Sequence, residues 1–120
     1  MTNEQANSFA KEWIESWNNH DLEQVLGHYT DDVEMSSPFA AKFTGEPSGR
    51  LSGKEALRVY WRTALEKLPD LHFELIEVFA GASSIALHYR TNFGYLTVEV
   101  LFFNAQGIVY RAAAHYREIP

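Results

Sequence analysis

Glu99 is the residue of this sequence whose surroundings best suit acid–base chemistry. It lies within Tyr95–Phe103, where β-branched and aromatic residues predict a strand. Alternation along that strand puts Glu99 on the same face as Leu101. An unpaired carboxyl among apolar side chains has a raised pKa and can exchange a proton near neutral pH. If a bulge shifts the strand, Glu99 is instead a solvated or interface carboxylate, paired with Arg90 or Arg111.

The histidines and cysteines indicate no metal or cofactor site. The chain has five histidines and no cysteine, which excludes a thiolate nucleophile and thiolate zinc sites. No histidine pair has the helical spacing, with a nearby Glu, of a zinc site. His115 has the opposite parity to Tyr116, so we expect it on the outer face of the sheet. If a bulge reverses the last strand, His115 becomes the alternative base.

Aromatic residues recur at helical spacing in two segments and also occur in the predicted sheet. They predict the wall of an apolar pocket between helices and sheet, although the same pattern fits ordinary core packing. Phenol hydroxyls on the sheet side could orient a carbonyl or hydroxyl ligand near Glu99. The predicted lining residues are Trp13, Trp17, Met35, Ser37, Tyr60, Trp61, Tyr89, Leu101 and Tyr116.

The elements that must position these residues follow in a simple order. An apolar stripe behind a Thr2–Gln5 capping box predicts a first helix, and a short helix begins near Asp21. Residues 33–37 form a plausible strand, residues 39–51 are predicted to form a long loop, and a capping box at Ser52 opens a third helix. Four strands separated by Gly- and Asn-containing turns fill residues 71–116. This order predicts an α+β fold with segregated elements.

Composition limits the classes of protein and partner. A chain of 120 residues with 46% hydrophobic residues is expected to form one domain, residues 1–120. A net charge of −6 argues against nucleic-acid and anionic-membrane partners, and no apolar run could span a bilayer. We expect a cytoplasmic protein. The penultimate strand is apolar on both faces, so its outer face predicts a homodimer formed through the sheet.

Several segments resemble the nuclear-transport-factor-2-like (NTF2-like) superfamily, in its SnoaL-like and ketosteroid-isomerase branch. The resemblance covers nearly the whole chain. It implies a cone in which three N-terminal helices pack on a strongly curved, mostly antiparallel sheet around a central pocket. The segments that carry it are 17–22 (WNNHDL), 29–33 (YTDDV) through Pro38, 53–57 (GKEAL) and 104–109 (NAQGIV).

The ketosteroid isomerases of that branch use a carboxylate base, a tyrosine and a protonated acid. By this resemblance the base position is occupied by Ser37, the tyrosine position by Trp13 and the acid position by Glu99. A serine hydroxyl cannot abstract the proton unaided, and an indole N–H can only donate. The steroid-isomerase reaction is therefore not expected.

The resemblance and the residues together predict a SnoaL-like enzyme of isomerase, cyclase, dehydratase or hydrolase type. It would act on a hydrophobic small molecule bearing a carbonyl or hydroxyl group, with Glu99 as acid or base and without a cofactor. The alternative is a non-catalytic NTF2-like module for ligand binding or dimerisation, since fold does not determine function.

Overall fold

The computed structural model describes residues 1–120, with four helices and six strands. The helices are α1 (Asn3–Asn18), α2 (Leu22–Leu26), α3 (Pro38–Thr44) and α4 (Lys54–Lys67). The strands are β1 (Tyr29–Ser36), β2 (Arg50–Ser52), β3 (Phe73–Ala80), β4 (Ser84–Thr91), β5 (Tyr95–Phe103) and β6 (Val109–Glu118). The predicted α+β class, with helices packed on a mostly antiparallel sheet, is confirmed.

All six strands form one mixed sheet in the order β2-β1-β6-β5-β4-β3. The four strands β3 to β6 are antiparallel neighbours, as the short turns between them predict. β1 joins them by pairing parallel with β6, and β2 extends the edge. Register shifts occur between Leu75 and Glu77 in β3, and in β6 at Tyr110, because Phe102 pairs with Arg111 and Phe103 pairs with Val109. Such bulges increase the local twist of a sheet.

Helix α1 shows why the N-terminal segment folds against this sheet. The Thr2 hydroxyl accepts the Gln5 backbone N–H at 3.1 Å, and the Gln5 side chain accepts the Thr2 N–H at 2.9 Å, so the predicted capping box is present. The buried side of α1 includes Ala10, Trp13 and Trp17. One helical face thus joins the core, which is also formed by α2, α4 and the inner face of the sheet.

Three local expectations are wrong. Residues 39–51 are not a loop but contain α3 and β2, because Ser37 and Pro38 begin a helix and Gly45, at φ +79°, ends it. The helices are therefore four rather than three. β1 begins at Tyr29 rather than Val33, since parallel pairing with β6 extends it. Ser52 does not cap α4, whose N-cap residue is Gly53, without a side-chain hydrogen bond.

The outer face of the sheet carries apolar side chains that the helices do not cover. Phe79 of β3 is 55% exposed and Val98 of β5 is 40% exposed. His115 pairs with Val98 across the β5–β6 ladder and is also exposed. None of the helices is both long and apolar enough to cross a membrane.

Candidate functional site

An aromatic cavity lies between the helices and the inner face of the sheet. Of its fifteen lining residues, fourteen are hydrophobic. The space left free among them is about 30 Å³, which is room for one or two water molecules. The lining residues are Trp13, Trp17, Met35, Phe39, Phe43, Tyr60, Trp61, Ala64, Leu68, Leu71, Phe73, Tyr89, Phe93, Glu99 and Tyr116.

Glu99 is the one carboxyl group that reaches this cavity. Its residue is 3% exposed, and its Oε1 accepts a hydrogen bond from the Tyr89 hydroxyl at 2.8 Å. Burial raises the pKa of Glu99 from its ordinary 4.5 to about 7, and the bond from Tyr89 opposes part of that rise by stabilising the carboxylate. Near neutral pH the carboxyl therefore populates both its protonated and its ionised form.

The β4–β5 register explains why Tyr89 meets Glu99. Leu87 lies opposite Glu99, and Tyr89 lies opposite Thr97, two positions along the same inward face. A diagonal neighbour at that spacing is within reach of a long side chain. The phenol spans the diagonal and donates to the carboxyl. The alternation Thr97, Glu99, Leu101 is buried throughout, so no bulge turns Glu99 outward.

Hydroxyl groups form a second polar cluster near the cavity. The Ser37 and Tyr60 hydroxyls are 3.2 Å apart, and Ser37 also accepts the Phe39 backbone N–H at the start of α3. Burial raises the pKa of Tyr60, Tyr89 and Tyr116, and the Glu99 charge raises each further. These phenols remain neutral at physiological pH, so they act as hydrogen-bond donors.

The two tryptophans of α1 that line the cavity differ in how their indole N–H groups are used. Trp13 Nε1 donates to the Tyr29 hydroxyl at 3.0 Å, in the buried core. Trp17 is 4% exposed, yet its Nε1 has no hydrogen-bond partner. Buried tryptophan N–H groups usually find a partner, so the Trp17 donor is unusual.

Most of the predicted lining residues do line the cavity, and three candidates do not. Ser37 is buried but contributes to capping α3 and contacts Tyr60 from outside the lining. Leu101 is completely buried in the core. His115 is exposed on the outer face, where its Nδ1 lies 3.2 Å from the Val98 carbonyl oxygen. The alternative base therefore does not reach the cavity, because Tyr116, and not His115, lies on the inward side of β6.

Sequence reasoning missed several lining residues, above all Phe39 and Phe43. They are spaced four apart on α3, and Phe39 packs edge-to-face on Tyr116 at 4.6 Å and on Phe93 at 5.8 Å. The missed signal was the helix start at Ser37-Pro38. Others come from element ends, including Leu68, Leu71, Phe73 and Phe93.

The structure offers no obvious place for a metal ion, since no three His, Asp or Glu side chains come together. Glu99 has only phenols as polar neighbours in the cavity. The chemistry available from the chain itself is therefore proton transfer by a carboxyl group and hydrogen bonding by phenols and an indole.

Comparison with solved structures places this geometry in a known fold. A SnoaL-like protein of unknown function from Burkholderia thailandensis is 51% identical, with a TM-score of 0.92 and 97% of both chains covered. The epoxide hydrolase/cyclase-like enzyme SalBIII of pyran ring formation in polyether salinomycin has a TM-score of 0.77 at 15% identity, covering 98% of this chain and 95% of that one. A putative ketosteroid isomerase from Kribbella flavida has a TM-score of 0.69 at 22% identity, covering 98% and 81%. The last two show likeness of fold alone.

The family comparison agrees with the structural one. No curated protein matches this chain. The sequence profile described as SnoaL-like domain matches residues 10–117. That range contains part of α1, the other three helices, nearly the whole sheet and every residue that lines the aromatic cavity. The resemblance to SnoaL-like proteins is thus confirmed, and the chain belongs to the SnoaL-like domain family.

Proposed function

We propose that this protein is a small-molecule enzyme in which Glu99 transfers a proton to or from an apolar substrate bearing a carbonyl or hydroxyl group. The observation that carries the proposal is a buried carboxyl with a pKa of about 7 in a cavity otherwise lined by hydrophobic residues. A general acid or base is most effective when its pKa lies near the working pH. Structural roles for a buried carboxyl without a cationic partner are rare, because its burial costs folding free energy.

The geometry assigns separate roles to the polar side chains. Tyr89 donates to Oε1 of Glu99, which orients the carboxyl and leaves the second oxygen without a protein hydrogen bond. That oxygen would take a proton from the substrate when ionised, or give one when protonated. Tyr60 and Tyr116, kept neutral by burial, would donate to a substrate oxygen on which negative charge develops.

The proposed reaction is different from the one that ketosteroid isomerases catalyse. Ser37 at the position of their base caps α3 and bonds to Tyr60, and Trp13 at the position of their tyrosine donates to Tyr29. Neither can supply the missing function. A single carboxyl that both accepts and returns the proton suits isomerase, cyclase, dehydratase and hydrolase chemistry alike. A structural neighbour described as epoxide hydrolase/cyclase-like supports that range.

The small free volume favours a second candidate, a non-catalytic module for ligand binding or dimerisation. A space of about 30 Å³ holds no organic substrate unless side chains move. Phe39, Phe43, Phe93 and Leu68 are only partly buried, so they are the lining residues that can be displaced at least cost. If the protein is an enzyme, these side chains move aside when the substrate enters. If it is a non-catalytic dimerisation module, they stay in place and keep the cavity filled.

Turnover separates the two candidates. The purified protein, its Glu99→Gln variant and the control Glu74→Gln, an exposed carboxyl of β3, would be incubated with panels of apolar ketones, epoxides and β-hydroxy carbonyl compounds. Products would be followed by chromatography coupled to mass spectrometry, because an isomerised or cyclised product can have the same mass as its substrate. We expect conversion in one panel, unchanged in the control and reduced by about 100-fold or more in Glu99→Gln. Binding without conversion in every panel would contradict the enzyme and support the module.

The pH dependence of the same reaction tells which role Glu99 has. If Glu99 is the base, the rate rises with pH through about 7, the pKa at which the carboxylate forms. If it is the acid, the rate falls over the same range. A rate without an inflection there would remove Glu99 from the rate-limiting proton transfer.

We also propose that two copies associate through the outer face of the sheet in a cytoplasmic homodimer. The exposed Phe79 and Val98 support this, since they share a face with Ala86 and Val100 of the central strands. Nucleic acid and membrane are not expected as partners. Sedimentation equilibrium should give twice the chain mass, and Val98→Asp should shift the protein to the monomer. A monomeric mass for the parent protein would contradict the dimer.

A further inference from the structure

Trp17 holds a hydrogen-bond donor that the protein itself does not use. Its side chain lines the aromatic cavity, it is 4% exposed, and its Nε1 has no partner. Leaving a buried donor unpaired costs free energy that a partner would recover. Trp13, one helical turn earlier, does satisfy its N–H through Tyr29. The unpaired donor is thus a property of the Trp17 position and not of tryptophans on α1.

The rings around Trp17 cannot supply a good acceptor. It packs edge-to-face with Trp61 at 5.0 Å, and lies 5.6 Å from Phe73 and 6.1 Å from Trp13. An aromatic face accepts an N–H only weakly. A carbonyl or ether oxygen entering the cavity would therefore be the stronger partner.

Trp17 and Glu99 mark two different places in the cavity. Tyr89, which bonds to Glu99, packs at 4.5 Å on Phe73, and Phe73 in turn contacts Trp17. Phe73 therefore contacts both Trp17 and the phenol that bonds to Glu99. A ligand that reaches both places needs two polar groups with an apolar segment between them.

We infer that Trp17 is a specificity-determining residue, and that the ligand carries an acceptor oxygen for its N–H, separate from the carbonyl or hydroxyl group that Glu99 contacts. This rests on the proposed function for the identity of the second group. The ligand class is accordingly an apolar skeleton with two oxygen functions at a distance from each other. An unpaired N–H also selects against purely hydrocarbon ligands, since these would leave it buried without a partner.

NMR of the indole N–H groups tests this directly. The chain has three tryptophans, so the ¹⁵N-labelled protein gives three indole signals, assigned by single Trp→Phe variants. The probes are decalin, its monoketone and a dione with one carbonyl on each ring. These skeletons have no aromatic ring current of their own. Decalin displaces the same aromatic side chains of the protein, so it gives the shift of the indole proton that arises without a hydrogen bond.

We expect the dione to move the Trp17 indole proton further downfield than decalin does. The Trp13 signal should not move with either, because its N–H is already bonded to Tyr29. The dione should bind about tenfold more tightly than the monoketone, and Trp17→Phe should abolish that advantage. A Trp17 signal that the dione moves no further than decalin does would overturn the inference, as would an equal loss of affinity for all three probes in Trp17→Phe.

The Glu99→Gln variant separates this inference from the proposed function. The Trp17 signal should still respond to the dione in that variant, because the side chain at position 99 is not its partner. A responsive Trp17 with no conversion of any compound would end the enzyme proposal and leave the Trp17 contact standing. Conversion with an unresponsive Trp17 would refute the contact alone.

Discussion

Replacing Glu99 by Gln should change how the stability of this protein depends on pH. The pKa of Glu99 is about 7 in the folded chain and near its ordinary 4.5 when unfolded. The folded state therefore binds the proton more tightly, so the contribution of Glu99 to stability is fully present below pH 4.5 and is lost as pH rises through 7. Between pH 5 and 8 the free energy of unfolding should fall by about 2 to 3 kcal/mol relative to the variant.

Urea denaturation followed by tryptophan fluorescence would measure this, at one protein concentration across the pH series so that association does not vary. The amide introduced by Glu99→Gln can still accept from Tyr89, but its N–H groups add a buried donor, so the variant's absolute stability can shift at every pH. The test is therefore the difference between the two proteins in how steeply the free energy of unfolding changes with pH. The control Glu74→Gln, on the exposed side of β3, should follow the parent profile. Parallel profiles for the parent protein and Glu99→Gln would refute the raised pKa of the buried Glu99 carboxyl.

Two further predictions concern the scaffold. Trp13→Phe and Tyr29→Phe both remove the same buried hydrogen bond, so their double-mutant cycle should give a coupling free energy of about 1 kcal/mol. A coupling free energy of zero would refute that bond. Gly49→Ala should destabilise the protein by roughly 2 kcal/mol or more, because φ is +70° and the new Cβ would lie 2.8 Å from the Ser37 carbonyl oxygen. Gly94→Ala, at φ +96° with nothing within 4 Å, should cost less in the same thermal or urea unfolding assay, and an equal cost would contradict the close contact.

The antiparallel half of the sheet was predictable from local patterns. Its strands are separated by turns that contain Gly81, Gly94 and Gly107, and the runs between them alternate. The inward face of β5 could be predicted from alternation, because Glu99 lies on the same face as Leu101, an apolar residue expected in the core. The hydrogen bond between Tyr89 and Glu99 could not be predicted, because it depends on the register between β4 and β5. A shift of that register by two residues would keep every side chain on the same face, so alternation alone does not determine it.

Local sequence patterns could not predict the structure of residues 38–52 or the small volume of the cavity. A helix of seven residues has too few turns for its periodicity to stand out from a loop, and only Ser37-Pro38 marked α3. β2 is three residues long and exists through its pairing with β1. The cavity is nearly filled because Phe39 packs on both Phe93 and Tyr116, and these tertiary contacts cannot be read from sequence spacing.

The proposed function requires that the cavity beside Glu99 admit an apolar molecule bearing an oxygen group. A crystal structure of the protein grown with the decalin dione tests it most directly. We expect the dione inside the cavity, with Phe39 or Phe93 displaced and one carbonyl oxygen at hydrogen-bond distance, about 3 Å, from protonated Glu99. A cavity still filled by its own aromatic rings, with Glu99 bonded to Tyr89 alone and the dione absent or on the surface, would contradict it.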